Sequence, residues 1–345
     1  MKSEVIKAFL VSRLVVVGIA YGFFYFSMLY SPLPFAPPNY VEERNGTLDW
    51  RPLNILYYYD AIHYLDIAQN GYRLHPYLTC WFPLYPILIR FLGNTTASAV
   101  VVSNLSLLIA LFAIYRLGGK KAVWLTAFSP ISIVFSSAYT ESLFLALTAW
   151  SMVMVKREKP LLCGILIGLS ALTRPVGWAV LAGISLHVFL ERKKANAVKI
   201  VLIGSVIAGL YPLYLYFQFG DPLLFSKMNT IIFGRTLFFP FSGLFIDIKY
   251  AVQNPWILVM LLINIMGFVM LAIGMFTPWR AYVIIYALTI LSLGSDKFIP
   301  SIIGLLRYAC ACVPVYLNQK MNINLSWVIF SIIISVLVTF KMFIF

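Results

Sequence analysis

Charge is what this sequence has least of. Only 11% of its 345 residues are charged while 61% are hydrophobic, and just 12 are acidic and three are histidine. In a soluble globular domain about a quarter of the residues are charged, so this composition, with a mean hydropathy of +0.89, excludes an ordinary soluble globule. Metal-ligating groups are equally scarce. The four cysteines, Cys80, Cys163, Cys310 and Cys312, show no metal spacing, and three fall inside apolar runs where a thiol behaves as a small hydrophobe. His63 has no second histidine or cysteine at ligand spacing. There is no internal repeat. The net charge of +14 sits in short clusters between apolar segments, where membrane topology accounts for it and nucleic-acid binding is not required.

What is present is a series of apolar runs of about 20 residues, the length that crosses a bilayer. The pattern predicts an all-α polytopic membrane protein, one transmembrane domain over residues 1–345, with about eleven spans: roughly 7–29, 97–116, 122–138, 141–155, 160–173, 175–190, 197–219, 251–276, 279–294, 299–318 and 324–344. The first run is long and lacks a small-residue cleavage site, so it reads as a retained helix. Two segments interrupt the spans, 30–96 and 220–250, the first opening on the proline-rich "SPLPFAPPNY".

Charge signs fix an orientation. With the N-terminus cytoplasmic, Lys2, Lys7, Arg13, Arg116, Lys120, Lys121, Lys156, Arg157, Lys159, Arg192, Lys193, Lys194, Lys199, Arg280 and Lys320 face inward, 15 of the 26 basic residues. Of the 12 acids, nine fall outward: Glu42, Glu43, Asp49, Asp60, Asp66, Glu141, Asp221, Asp247 and Asp296. Acids contribute little to orientation, so their segregation points to a polar site on the outer face.

The stretch "YYYDAIHYLDIAQNGYR", Tyr57 to Arg73, is the polar exception in the first outer segment. As a helix it aligns Asp60, His63, Tyr64 and Ile67 on one face through i, i+3, i+4 and i+7 spacing, with Asp66 about 120° away and Asn70-Gly71 as the stop. Lying on the bilayer surface, it would hold Asp60 partly out of water, as suits a proton acceptor. The plainer alternative is an amphipathic interfacial helix with a solvated polar face.

These residues resemble the first outer loop of the PIG-V type mannosyltransferases, integral-membrane enzymes of the GT-C glycosyltransferase architecture. "CWFPLYPILIRFLG", "SAYTESLFLAL", "GLSALTRPVG" and "FGDPLLF" followed by "FGR" resemble further elements of that family, in family order over about residues 1–235. The last third is matched only by its spans and by Arg307-Tyr308. Tyr59 stands where the family has tryptophan, and the chain is shorter than the eukaryotic enzymes that act on GPI.

The resemblance implies a lipid-linked sugar donor, dolichyl- or polyprenyl-phosphate mannose, and inverting transfer to a glycolipid or glycan hydroxyl. It implies Asp60 as the catalytic base, with Asp66 as the alternative. Glu141 reads as an acceptor-binding or structural partner, or simply as a first-turn acid favoured by the helix dipole. Arg174, Arg235 and Arg307 are the candidates for the donor phosphate. Arg307 is preferred, because an arginine within a span needs an anionic partner and spans 7–11 offer no acid at its depth. The alternative for Arg174 is a snorkelling interfacial arginine. His63, Tyr64, Asp221 and Tyr308 fall in matched elements and are expected to bind substrate. A lipid phosphate leaves without a metal, and the outer loops carry no Asp-x-Asp, so no cofactor is expected. The implied location is a prokaryotic cell membrane with an extracytoplasmic site, or the endoplasmic reticulum with a lumenal one. A secondary transporter is the rival reading from another class, and a non-catalytic partner in lipid-glycan assembly is a third.

Overall fold

The computed structural model describes residues 2–30, 52–73, 75–295, 301, 304–318, 320–321 and 323–339. The proline-rich exit at 31–40, Glu42, Glu43, Asp49 and Asp296 lie outside them.

Helices dominate. In chain order they are α1 (Lys2–Tyr30), α2 (Asp60–Asn70), α3 (Leu84–Phe91), α4 (Thr96–Ala127), α5 (Glu141–Lys156), α6 (Pro160–Ala171) and α7 (Gly177–Leu190), then α8 (Lys194–Ala208) and α9 (Leu210–Phe219). They continue with α10 (Leu224–Phe233), α11 (Ser242–Ala251), α12 (Pro255–Met275), α13 (Arg280–Leu291), α14 (Leu305–Cys310) and α15 (Leu325–Thr339). Four stretches among the described residues are long and apolar enough to cross a membrane: Lys2–Phe23, Thr96–Ala127, Lys194–Phe219 and Ile257–Met275. The helices at Pro160–Ala171, Gly177–Leu190, Arg280–Leu291 and Leu325–Leu337 are apolar but shorter.

Three expectations need correction. The span expected at 122–138 is helical only to Ala127: α4 kinks at Gly119, whose φ of 73° suits a residue without Cβ, and residues 128–140 form a run of turns that is buried throughout. Its serines and Pro130 explain why. Ser132 Oγ bonds the Ala127 carbonyl, Ser137 Oγ that of Ile133 and Ser142 Oγ that of Phe135, so side chains satisfy backbone that no helix does. Of the span expected at 299–318, the described residues form the six-residue α14 and a 3-10 turn at Val313–Tyr316. One short ladder accompanies the helices: β1 (Arg235–Leu237) pairs antiparallel with β2 (Leu293–Ser295), Arg235 opposite Ser295. The second outer segment is thus built from α10, β1 and α11 rather than loop, and it exposes Leu237, Phe239 and Phe245.

The bundle closes around α5. Helix α1 packs on α4 and α15, α4 on α5, α5 on α6, α6 on α8, and α7 on α13. The α6–α8 contact is close because Gly164 and Gly168 lie one turn apart on its seam. A Cβ on Gly168 would lie 2.6 Å from Ile207 Cβ and 2.9 Å from the Gly204 carbonyl. A second core, with Tyr64, Ile67, Tyr72, Trp81, Phe82, Tyr85 and Tyr211, anchors α2 and α3 to the bundle.

The bundle has two chemically distinct ends. At one, Glu4 pairs with Lys120, Glu158 with Lys193 and Glu191 with His187. Helices α5, α6 and α7 each run between that end and the other, where Glu141 and Arg174 sit.

Candidate functional site

Four charged side chains from distant parts of the chain meet at the second end. Glu141 is the first residue of α5 and Asp60 the first of α2, positions where a helix dipole favours an acid. Arg174 lies in the short link between α6 and α7, and Arg307 on α14. Glu141 Oε1 accepts from both Arg174 Nη1 and Arg307 Nε. The Nη1 and Nη2 atoms of Arg307 each donate to Asp60 Oδ2 at 3.1 Å. The two guanidiniums lie over tyrosine rings, Arg307 over Tyr139 and Arg174 over Tyr308, both at 4.7 Å.

Burial grades this cluster. Glu141 is fully enclosed, the Arg307 side chain is 7% exposed, and Asp60 reaches solvent with 25% of its side chain. Two buried polar atoms at the cluster, Glu141 Oε2 and Tyr139 Oη, have no hydrogen-bond partner among the described residues. Arg235, on β1, lies over the Phe233 ring at 5.6 Å and acts electrostatically on Tyr308. Tyr64 Oη lies 3.5 Å from Thr140 Oγ1, and burial, followed by the Asp60 charge, raises its phenol above the ordinary value.

The remaining expected site residues stand elsewhere. Asp66 is buried and accepts from Asn70 Nδ2 at 2.8 Å on its own helix. His63 stacks on Trp81 with ring centres 3.9 Å apart and meets Tyr77 edge-on. Asp221 closes a local turn: Lys227 and the Leu223 N–H hold its carboxyl below the usual range.

Two readings of the arginines are overturned. Arg307 does have acid partners, and they come from α2 and α5 instead of the later spans, so a search of spans 7–11 could not find them. Arg174 does not snorkel; it is buried and paired with Glu141. A third correction concerns Arg13, counted above as an inward topological charge. Its guanidinium reaches the turns after α4, donating to Ala127 O and Ser132 O at 2.8 Å, to Ser136 Oγ at 2.6 Å and to Ser132 Oγ. The clue in the sequence is a lone arginine deep in an apolar run, matched by an unusually serine-rich stretch elsewhere. Tyr139 also escaped notice, although it sits two residues before Glu141.

Chemically, the arrangement offers a partly exposed carboxylate, two buried cations with a third nearby, and aromatic walls. Compared with protein-family models, curated proteins and solved structures, the chain matches none.

Proposed function

We propose that the chain is a membrane glycosyltransferase of GT-C type with about eleven spans, moving a mannosyl or related hexosyl group from a polyprenyl-phosphate donor to a glycolipid or glycan hydroxyl. The observation that carries this reading is the convergence of Asp60, Glu141 and Arg174, from three of the elements that resemble the PIG-V family, on Arg307 of the last third, up to 247 positions away.

The parts suit an inverting displacement. Asp60 accepts the proton of the acceptor hydroxyl as that oxygen bonds to the anomeric carbon. The bond from that carbon to the phosphate oxygen breaks, its electron pair leaves with the phosphate, and Arg307 with Arg174 stabilises the charge that builds there. Tyr139, Tyr308 and Tyr64 enclose the centre, and Glu141 holds the two arginines side by side despite their repulsion. The active end is proposed to face away from the cytoplasm, because the basic loops gather at the other end.

A second reading draws on the mutual pairing of the charges: a non-catalytic lock fixing α2 to α14 in an assembly partner. One assay separates the two. Purified protein in lipid nanodiscs, given dolichyl-phosphate [14C]mannose and a panel of glycolipid acceptors, should yield labelled glycolipid. Absence of transfer to every acceptor, without any hydrolysis of the donor, would favour the lock.

A further inference from the structure

An arginine fork grips an anion best when two nitrogens meet two oxygens, at about 2.7–2.9 Å. Arg307 and Asp60 fall short of that: both terminal nitrogens converge on the single oxygen Oδ2, each at 3.1 Å. The other side of the same guanidinium is closely held, with Nε against the enclosed Glu141. Asp60 is therefore the partner that can leave. It is the exposed member of the cluster, at 25% against 0% for Glu141. The residue before it, Tyr59, has φ 44° and ψ −115°, a conformation uncommon for a side chain of that bulk, and one that stores strain at the start of α2. A destination is at hand as well. The Tyr139 hydroxyl is buried with no partner among the described residues, and its ring lies under the same Arg307 guanidinium that Asp60 holds.

We propose that Asp60 is the built-in competitor for the anion this site takes: a phosphate binds Arg307 by displacing the Asp60 carboxylate, and that exchange frees Asp60 to accept a proton. The inference rests on the donor-phosphate reading above. Its consequence is an order of events. With no phosphate bound, the base is held by Arg307 and an acceptor hydroxyl is not activated. With phosphate bound, the fork meets two oxygens, and Asp60 turns toward Tyr139 and the acceptor. Donor binding thus switches on the base.

Two measurements test this, both with dolichyl phosphate as the probe and protein in nanodiscs. In the first, [3H]dolichyl phosphate is titrated onto the wild type, Asp60→Asn and Arg307→Ala. Removing the competitor should tighten binding about tenfold in Asp60→Asn, and removing the fork should weaken it by at least as much. In the second, the wild type alone is treated with a water-soluble carbodiimide and a glycine ester, and Asp60 modification is read by peptide mass spectrometry. Dolichyl phosphate should raise that modification severalfold, while dolichol should leave it unchanged. Equal or weaker binding by Asp60→Asn, or Asp60 modification that stays level or falls with dolichyl phosphate, overturns the exchange while leaving a phosphate site in place. Binding of dolichyl phosphate no tighter than dolichol by every variant would sink the donor-phosphate reading itself, and the exchange with it.

Discussion

Two aspartates six positions apart have different surroundings. Asp60 faces Arg307, and Asp66 is buried against Asn70. Asp60→Asn should lower transfer by about 10²–10⁴-fold, the range general-base removal commonly costs, with the melting temperature little changed. Asp66→Asn should lower it far less. Activity measured on purified, folded variants checks both, and a reversal would move the base to Asp66. A second expectation concerns Cys80, in the 3-10 turn Pro76–Cys80. Burial pushes its thiol up to about 12, so little thiolate forms at neutral pH, and maleimide should label it slowly unless the protein is unfolded. Sequence alone made Asp60, Glu141, Arg174 and Arg307 legible as candidates, because charges in a chain so short of them need a reason. It could not pair them: which acid meets which arginine depends on α2 and α5 closing over α14, and no spacing along the chain encodes that.

At the scale of elements, the buried turns at 128–140 carry Tyr139 and lead directly into Glu141, so whatever fixes them fixes the site. Arg13 does so, through its bonds to Ala127, Ser132 and Ser136. Arg13→Ala should destabilise the protein by several kcal/mol, since a hydrogen bond to a charged group contributes about 1.5–3 kcal/mol and several are lost together. Arg13→Lys should recover only part, because an ammonium cannot span four acceptors on two residues and a helix end. Thermal unfolding in detergent reads both. Gly168 is the test of the α6–α8 seam: Gly168→Leu would drive a side chain into Ile207 and the Gly204 carbonyl, costing about 1–3 kcal/mol or more. That seam was visible in the sequence as "GILIG", a small residue every fourth position. The turns were not, because Phe, Ile and Val between the serines keep the stretch as apolar as a span.

At the scale of the whole molecule, the two ends of the bundle make a topological claim. Arg73 and Arg157 are both exposed, on the α2 side and in the α5–α6 loop respectively. In intact cells Arg73→Cys should react with an impermeant maleimide, and Arg157→Cys should react only after lysis; the opposite pattern would put the ion cluster on the cytoplasmic side. Helical class and most helix positions were legible, since both follow from local hydropathy. Helix lengths were less so. Several helices are shorter than a bilayer-crossing run because buried turns replace their ends near the site, and hydropathy does not distinguish buried turn from buried helix.

On the proposed function the ion cluster binds a lipid phosphate and is not only a lock between elements. Arg307 decides it, because Glu141 keeps Arg174 when Arg307 is changed, so stability and function can separate. The measurement is donor kinetics and melting temperature on the same purified preparations of wild type, Arg307→Lys and Arg307→Ala. Arg307→Lys should melt close to wild type yet lose donor kcat/KM by about tenfold or more, as a point charge replaces the fork. Arg307→Ala should lose about 10²–10³-fold, a loss larger than its folded fraction explains. Variants that melt much lower, while their folded fraction turns over donor as the wild type does, would contradict phosphate binding by Arg307 and leave the cluster a structural lock.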